Sequence, residues 1–123
     1  MIIEDSATTR SVIKVYLVGQ HLAFLEASDG AAGLEAARMH QPDVVVVDLN
    51  MPGMDGLSFC RAVRADVKLR RTPIVLLTGS KHEEVKREAF KAGADYFMTK
   101  PIDGSELARC ILESLKKSAL AAL

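Results

Sequence analysis

Residues 43–56 read DVVVVDLNMPGMDG, and the fold follows from this stretch. Its four consecutive valines form a β-branched run in which apolar and polar residues do not alternate. A run of this kind is typical of a strand that is buried on both faces of a parallel sheet. The glycines after Asp48 predict a turn. We therefore expect a buried strand that ends at Asp48.

Four further segments have strand character. Residues 73–78 (PIVLLT) are a second continuous apolar run, and Ile2-Ile3 is a short stretch of the same type. Residues 22–27 and 95–98 are weaker strand candidates. Between the strands, apolar residues recur every three or four positions, which is the helical spacing. The five apolar stripes are Val12, Ile13, Tyr16 and Leu17; Ala31, Leu34 and Ala37; Phe59, Val63 and Val67; Val85, Ala89 and Ala92; and Leu107, Ile111 and Leu115.

The predicted order is strand then helix, repeated five times. This alternation predicts a parallel sheet with helices on both faces, and right-handed crossovers make it a doubly wound α/β sheet. Ser6 and Asp103 are suited to cap helix N-termini, and Gly93 is suited to end a helix. The length of 123 residues fits one domain. We expect residues 1–118 to form it and residues 119–123 to be a helical tail or the start of a linker.

Composition narrows the class of function. The formal net charge is zero, which argues against direct nucleic-acid binding by this chain. Cys60 and Cys110 lie in apolar stripes without metal-ligand spacing, so we expect two reduced, buried thiols. The sequence shows no membrane-spanning stretch and no signal peptide. These observations predict a cytoplasmic protein without a membrane partner.

Polar side chains stand where the predicted strands end. Glu4 and Asp5 follow the first strand, Asp48 ends the third, Thr78 ends the fourth, and Lys100 follows the fifth. In doubly wound sheets the functional site lies at the carboxyl ends of the strands. We therefore expect these five side chains to converge on one site.

The residue types at this edge indicate phosphoryl chemistry. Clustered carboxylates repel one another, and a hard cation such as Mg²⁺ relieves the repulsion while leaving room for a phosphate oxygen. An aspartate carboxylate can attack phosphorus and form an aspartyl phosphate. Lys100 and Thr78 would supply a cation and a hydroxyl to the phosphoryl oxygens.

The motifs carry a resemblance to a known family. The acidic pair Glu4-Asp5, the segment DLNMPGMDG from Asp48, LLTGS around Thr78 and AGADYFMTKP up to Pro101 resemble the receiver domain of two-component response regulators. The resemblance covers essentially the whole chain. It implies the CheY-like, flavodoxin-like (βα)5 three-layer sandwich, with the five parallel strands in the order 2-1-3-4-5.

The resemblance also implies roles for individual residues. Asp48 resembles the phosphorylated residue, and Thr78 and Phe97 resemble the switch pair of a hydroxyl and an aromatic ring. Lys100 resembles the phosphate partner, and its bond to Pro101 resembles a cis peptide. The implied Mg²⁺ ligands are Asp5, Asp48, the backbone carbonyl of Asn50, and Glu4 through water.

What the resemblance implies for function is a signalling switch, not a metabolic enzyme. The chain would accept a phosphoryl group from a histidine kinase or phosphotransfer protein, and would catalyse that transfer and its own dephosphorylation. Phosphorylation would change the surface of helix four, strand five and helix five, which would control an output domain or a downstream protein. A homodimer through this surface stays open.

One feature departs from the family, because only Met1 to Ile3 precede the acidic pair. The resemblance implies several more residues there, so we expect a start site placed late or residues preceding Met1.

Three other functions compete with this interpretation. The first is a pseudo-receiver, which is a phosphorylation-independent protein-binding module, and the intact set of Glu4, Asp5, Asp48, Thr78 and Lys100 weighs against it. The second is a flavodoxin-like enzyme or cofactor carrier, although residues 6–9 (SATT) form no glycine-rich phosphate loop. The third is a haloacid-dehalogenase-type phosphatase, which requires a second acid where Asn50 stands.

Overall fold

A computed structural model of the chain describes residues 1–121. Strands and helices alternate along the whole of this range, as the sequence predicts. The ten elements are β1 (Ile2–Ile3), α1 (Ala7–Tyr16), β2 (Glu26–Ala27), α2 (Gly30–His40), β3 (Val45–Asp48), α3 (Gly56–Ala65), β4 (Ile74–Thr78), α4 (Glu83–Ala92), β5 (Tyr96–Thr99) and α5 (Gly104–Ala121).

The strands form one parallel sheet in the order β2-β1-β3-β4-β5. This confirms the predicted doubly wound sheet and its strand order. Helices α1 and α5 pack on one face, where Ile13 and Leu107 are fully buried. Helices α2, α3 and α4 pack on the other, where Phe59 is fully buried. The central strands β3 and β4 are buried on both faces, which explains their continuous apolar runs.

Capping residues set the helix boundaries near the functional edge. Ser6 Oγ accepts a hydrogen bond from the backbone N–H of Thr9 and so caps α1. Asp103 accepts from the N–H groups of two residues in the first turn of α5. Gly93 ends α4 with a φ of 112°, a left-handed conformation that favours glycine. All three boundaries are as predicted.

Three details of the prediction are wrong. The strand expected over residues 22–27 is limited to Glu26–Ala27, because its ladder partner β1 contributes only two residues. Val67 lies beyond the end of α3 and is 80% exposed, so it is no part of that helix's apolar stripe. In α1, Ile13 faces the core, whereas Tyr16 is 40% exposed on the flank of the helix.

Both cysteines are free and buried, as expected. Burial raises the pKa of the Cys60 thiol to about 12, so this thiol stays protonated and unreactive at neutral pH. Helix α5 is continuous up to Ala121, while residues 122–123 of the predicted tail lie outside the described range. Within residues 1–121, no helix combines the length and the apolar character needed to cross a membrane.

Candidate functional site

The carboxyl ends of the central strands meet at one edge of the sheet. Asp48 and Thr78 are the last residues of the neighbouring strands β3 and β4. The N–H of Lys100 donates to the Thr78 carbonyl at 2.7 Å, which places the residue after β5 at the same edge. On the other side, the N–H of Glu4 donates to the carbonyl of Ala27 in β2 at 3.1 Å. The sheet register therefore gathers residues that are far apart in sequence.

Three carboxylates lie together at this edge. One oxygen each from Glu4, Asp5 and Asp48 falls within 4.8 Å of the others. Glu4 and Asp48 are buried, with 2% and 4% of their surface exposed, whereas Asp5 is open to solvent. Three carboxylate oxygens that face one another and are open to water on one side fit a hard, water-carrying divalent cation such as Mg²⁺.

Lys100 forms ion pairs with both buried acids of this cluster. Its Nζ lies 3.2 Å from Oδ2 of Asp48 and 3.3 Å from Oε2 of Glu4, and its side chain is 32% exposed. Partial burial opposes the charge of the ammonium. The carboxylates of Asp48 and Glu4 outweigh this effect and raise the pKa of Lys100. Lys100 is therefore a fixed cation between the two buried acids.

The cluster changes the protonation of Glu4. Burial is the largest cause that raises the pKa of Glu4, to about 7 in all; the neighbouring carboxylates of Asp48 and Asp5 add to the effect, and the hydrogen bond from the Ser6 N–H opposes it. One acid of the three thus binds a proton near neutral pH when no metal is bound. Crowded carboxylates have this effect because a neutral member of the cluster repels its neighbours less than an ionised one does.

The loops around Asp48 and Thr78 present backbone groups to the site. The N–H of Asn50 lies 3.4 Å from Oδ1 of Asp48, so the loop after β3 folds back over the carboxylate. Thr78 is fully buried, and its Oγ1 accepts a hydrogen bond from the N–H of Ser80 at 3.1 Å. The hydroxyl is therefore engaged with the start of the loop before α4.

Phe97 lies on β5, beside α4. Its side chain is half-buried and packs against the core on the α4 face. The ring centroid lies 6.5 Å from that of Phe90, with an angle of 50° between the planes. Directly after β5, the Lys100–Pro101 peptide bond is cis. The structure thus places Phe97 at a surface of α4 and β5, outside the acidic cluster itself.

Two residues that the sequence analysis did not single out belong to the site. The guanidinium of Arg10 donates to the Glu4 carbonyl at 2.6 Å. The sequence carries one signal of this contact. A cation in the first turns of a helix is disfavoured by the helix dipole, so an arginine there indicates a compensating partner. A Cβ at Gly56 would lie 2.7 Å from the Asp48 carbonyl, so α3 approaches the end of β3 as closely as glycine permits. From the sequence, Gly56 predicts only a turn, and its position carries no signal of this contact.

The fold and the site define a class: a doubly wound α/β domain with an acidic cleft at the carboxyl edge of its sheet and a lysine bound to the buried acids. The model of the response regulator receiver domain family matches residues 1–112. The chain belongs to this family, whose members act in two-component signalling by phosphorylation.

Individual relatives agree with this family. The transcriptional regulatory protein ResD of Bacillus subtilis is 32% identical, over 97% of this chain and 48% of its own length. The receiver domain of Francisella response regulator 1452 has a TM-score of 0.88 at 27% identity, with 95% of both chains covered. The receiver domain of sensor histidine kinase PA1611 from Pseudomonas aeruginosa, which has magnesium coordinated in its active-site cleft, has a TM-score of 0.85 at 26% identity, with 94% of both chains covered.

The chain spans about half of ResD, and half or less of the length of the other curated relatives that it matches. Some of those relatives are transcriptional regulators, and another is a sensor histidine kinase. Membership of the family therefore identifies the chain as a receiver domain and indicates the kind of signalling. Receiver domains occur in proteins with different overall activities.

Proposed function

We propose that this receiver domain takes a phosphoryl group on Asp48, from a histidine kinase or phosphotransfer protein, in a Mg²⁺-dependent reaction. The observation that carries the proposal is the pairing of Asp48 with both an acid cluster and Lys100. A buried carboxylate with a fixed cation on one oxygen and two further acids beside it has no structural need for those acids. A site that binds a cation and a phosphoryl group needs all of them.

In the proposed step, a carboxylate oxygen of Asp48 attacks the phosphorus of a phosphohistidine. The new O–P bond forms as the P–N bond breaks, and the imidazole nitrogen leaves with the electron pair and takes up a proton from water. Lys100 is placed to bind a phosphoryl oxygen, since its ammonium already lies 3.2 Å from Asp48. The backbone N–H of Asn50, in the loop after β3, lies 3.4 Å from the other carboxylate oxygen, Oδ1.

Mg²⁺, bound by Asp5, Asp48 and the carbonyl of Asn50, with Glu4 acting through water, would neutralise charge on the transferring phosphoryl group. The protonation of Glu4 bears on the binding of this cation. Burial and crowding raise the pKa of Glu4 to about 7, so at neutral pH the metal-free cluster carries less charge than three fully ionised acids would. The carboxyl group of Glu4 would release its proton when a divalent cation binds.

A signalling output requires that the phosphate favour one of two arrangements. We propose that Thr78 moves from its bond with the Ser80 N–H to the phosphoryl group, and that Phe97 follows. Helix α4 supports this assignment because it is weakly anchored at one end. In its first turns no side chain is buried and no side chain caps the N-terminus. Its C-terminal end is held where the guanidinium of Arg64 donates to the Gly93 carbonyl at 2.7 Å.

The surface formed by α4, β5 and α5 is therefore the proposed output surface, through which an output domain or a downstream protein would respond. A groove of about 370 Å³ runs between α4, β5 and the start of α5, with Phe97 and Pro101 among its lining residues. Lys81 and Lys86 lie on one side of it, and Asp103 and Glu106 lie on the other.

Intact-mass measurement after incubation with acetyl phosphate and Mg²⁺ tests the proposal. We expect one phosphoryl adduct on the wild-type chain and none on Asp48→Asn. The same absence in EDTA would show the metal requirement. A folded wild-type protein that gains no adduct, from acetyl phosphate or from a phosphorylated kinase, would favour the alternative of a phosphorylation-independent binding module.

A further inference from the structure

We propose that Arg10 is a positioning residue for the acidic pair: it fixes the backbone of Glu4 and Asp5 so that their carboxylates converge with Asp48. This inference rests on the proposed function, because it assigns Arg10 a role at the cation site. Arg10 is the fourth residue of α1, and it takes no part in the phosphoryl chemistry itself. Its side chain is 19% exposed, so most of it is packed against its neighbours.

The contacts of Arg10 go to carbonyl oxygens rather than to the acids' side chains. Its Nη1 donates to the Glu4 carbonyl at 2.6 Å and lies 3.4 Å from the Asp5 carbonyl. Within residues 1–121, the remaining side-chain hydrogen bond of Arg10 joins Nε to Oε1 of Glu26 at 3.1 Å. A guanidinium has several donors in one rigid plane, so it can join the loop after β1 to strand β2 with fixed geometry.

Arg10 is itself held in place. Glu26 receives Arg10 on one carboxylate oxygen and the Nζ of Lys14 on the other, at 2.9 Å. Hydrogen bonds from Lys14, and secondarily from Arg10, lower the pKa of Glu26, so this acceptor stays charged. Since Glu26 lies on β2 and both cations lie on α1, the network ties the helix to the sheet edge on which Glu4 depends.

The result is that the peptide of Glu4 is held on both sides. Its N–H donates to the Ala27 carbonyl in the last rung of the β1–β2 pairing, and its carbonyl accepts from Arg10. Next along the loop, the N–H of Ser6 donates to Oε1 of Glu4 at 3.2 Å. Asp5 lies between these anchors with an exposed side chain, so its backbone is what the scaffold can control.

Positioning and simple charge give opposite predictions for cation binding. Arg10 is a positive charge near a cation site, and removing it should tighten Mg²⁺ binding if electrostatics alone operated. Loss of a positioning partner weakens a metal site, by about tenfold or more where such partners have been removed. The sign of the change therefore separates the two roles.

The test is a Mg²⁺ titration of Arg10→Ala and Arg10→Lys, followed by amide NMR well below the melting temperature. We expect about tenfold weaker Mg²⁺ binding for Arg10→Ala, and weaker binding also for Arg10→Lys, which keeps the charge but loses the planar set of donors. Arg38→Ala is the matched control, since it removes another arginine–carboxylate pair, that of Arg38 with Asp66 at 2.9 Å, away from the site. This control should bind Mg²⁺ as the wild type does.

A readout without metal keeps the inference separate from the proposed function. Because the Ser6 N–H is bound to the Glu4 side chain, we expect its hydrogen exchange to accelerate severalfold in metal-free Arg10→Ala, while the amide of Val46 in β3 stays protected. If the wild type fails to bind Mg²⁺, the proposed function fails and this measurement still decides the role of Arg10. Tighter or unchanged Mg²⁺ binding in Arg10→Ala, or unchanged exchange at Ser6, would overturn the inference.

Discussion

Nζ of Lys100 lies 3.2 Å from Oδ2 of Asp48. The two residues are brought together by the parallel pairing of β3, β4 and β5, and the same ammonium lies 3.3 Å from Glu4. Replacing one member of such a buried pair leaves the other charge without its partner. In variants of this pair, the stability of the domain and the rate of phosphorylation can therefore be measured separately.

Substitution Lys100→Met should abolish or strongly slow phosphorylation of Asp48 by acetyl phosphate. The methionine fills similar space but offers no cation to the phosphoryl oxygens, so we expect a loss of about a hundredfold or more in rate. Intact mass over time gives this rate. Lys117→Met is a suitable control, because Lys117 lies over the Tyr96 ring rather than at the cluster. A Lys100→Met protein that is phosphorylated at the wild-type rate would remove Lys100 from the site.

The stability of the metal-free protein should fall as the pH rises from about 5 to about 7. The pKa of Glu4 is about 7 in the folded protein, against an ordinary value of 4.5. The folded state therefore binds more protons than the unfolded state across this window, so unfolding becomes easier as the proton is lost. At about 1.4 kcal/mol per pKa unit, the change is a few kcal/mol at most.

Urea denaturation at several pH values in EDTA measures this slope, with Glu4→Gln as the control. Because glutamine does not titrate, the substitution should flatten the curve between pH 5 and pH 7. Added Mg²⁺ should stabilise the wild type more at pH 8 than at pH 5.5, since the cation competes with the proton on Glu4. A wild-type protein as stable at pH 7 as at pH 5 would contradict the assigned protonation.

Thr78→Val should separate phosphorylation from its structural response. Valine matches the shape of the buried threonine but has no hydroxyl to move to the phosphoryl group, while Asp48 and Lys100 are unchanged. We expect the phosphoryl adduct to form, with the change in hydrogen exchange over α4 and β5 greatly reduced. Hydrogen exchange with mass spectrometry, before and after phosphorylation, compares the two proteins. An equal response in Thr78→Val would mean that the switch runs through other residues.

Gly56→Ala should destabilise the domain by about 1 to 3 kcal/mol, the range of overpacked buried positions. The added Cβ would meet the Asp48 carbonyl at 2.7 Å and Leu49 Cα at 2.8 Å, so backbone must shift. Since the displaced backbone carries Asp48, Mg²⁺ binding should weaken as well. Gly79→Ala is the matched control, because no atom lies within 4 Å of its added Cβ. Chemical denaturation and Mg²⁺ titration of both variants test this expectation.

The sequence predicted the parts of this molecule that depend on pattern. Continuous apolar runs gave β3 and β4, and the polar residues at strand ends, such as Asp48 and Thr78, led to the edge where the carboxylates meet. The contacts that long side chains make with other elements were not predicted. Arg10 looks like an ordinary surface charge on α1 until its hydrogen bond to the Glu4 carbonyl is seen.

Local sequence also could not predict contacts between residues that are far apart in the chain. Leu22 to Leu25 have strand-like residues but lie outside β2, because pairing with β1 extends over only two residues. Gly53 and Gly56 stand in the same short segment after Asp48, yet only Gly56 is packed against the backbone of the acceptor strand. Pairing partners and close approaches of this kind are properties of the assembled fold.

Trapping of the acyl phosphate tests the central claim most directly. Borohydride reduces an aspartyl phosphate to homoserine, and peptide mapping by mass spectrometry then identifies the modified position. We predict homoserine at position 48 after treatment with acetyl phosphate and Mg²⁺, and unmodified aspartate there in EDTA. Reduction at Asp5 instead, or no reduced residue in a protein that is folded and supplied with Mg²⁺, would contradict the assignment of Asp48 as the phosphoryl acceptor.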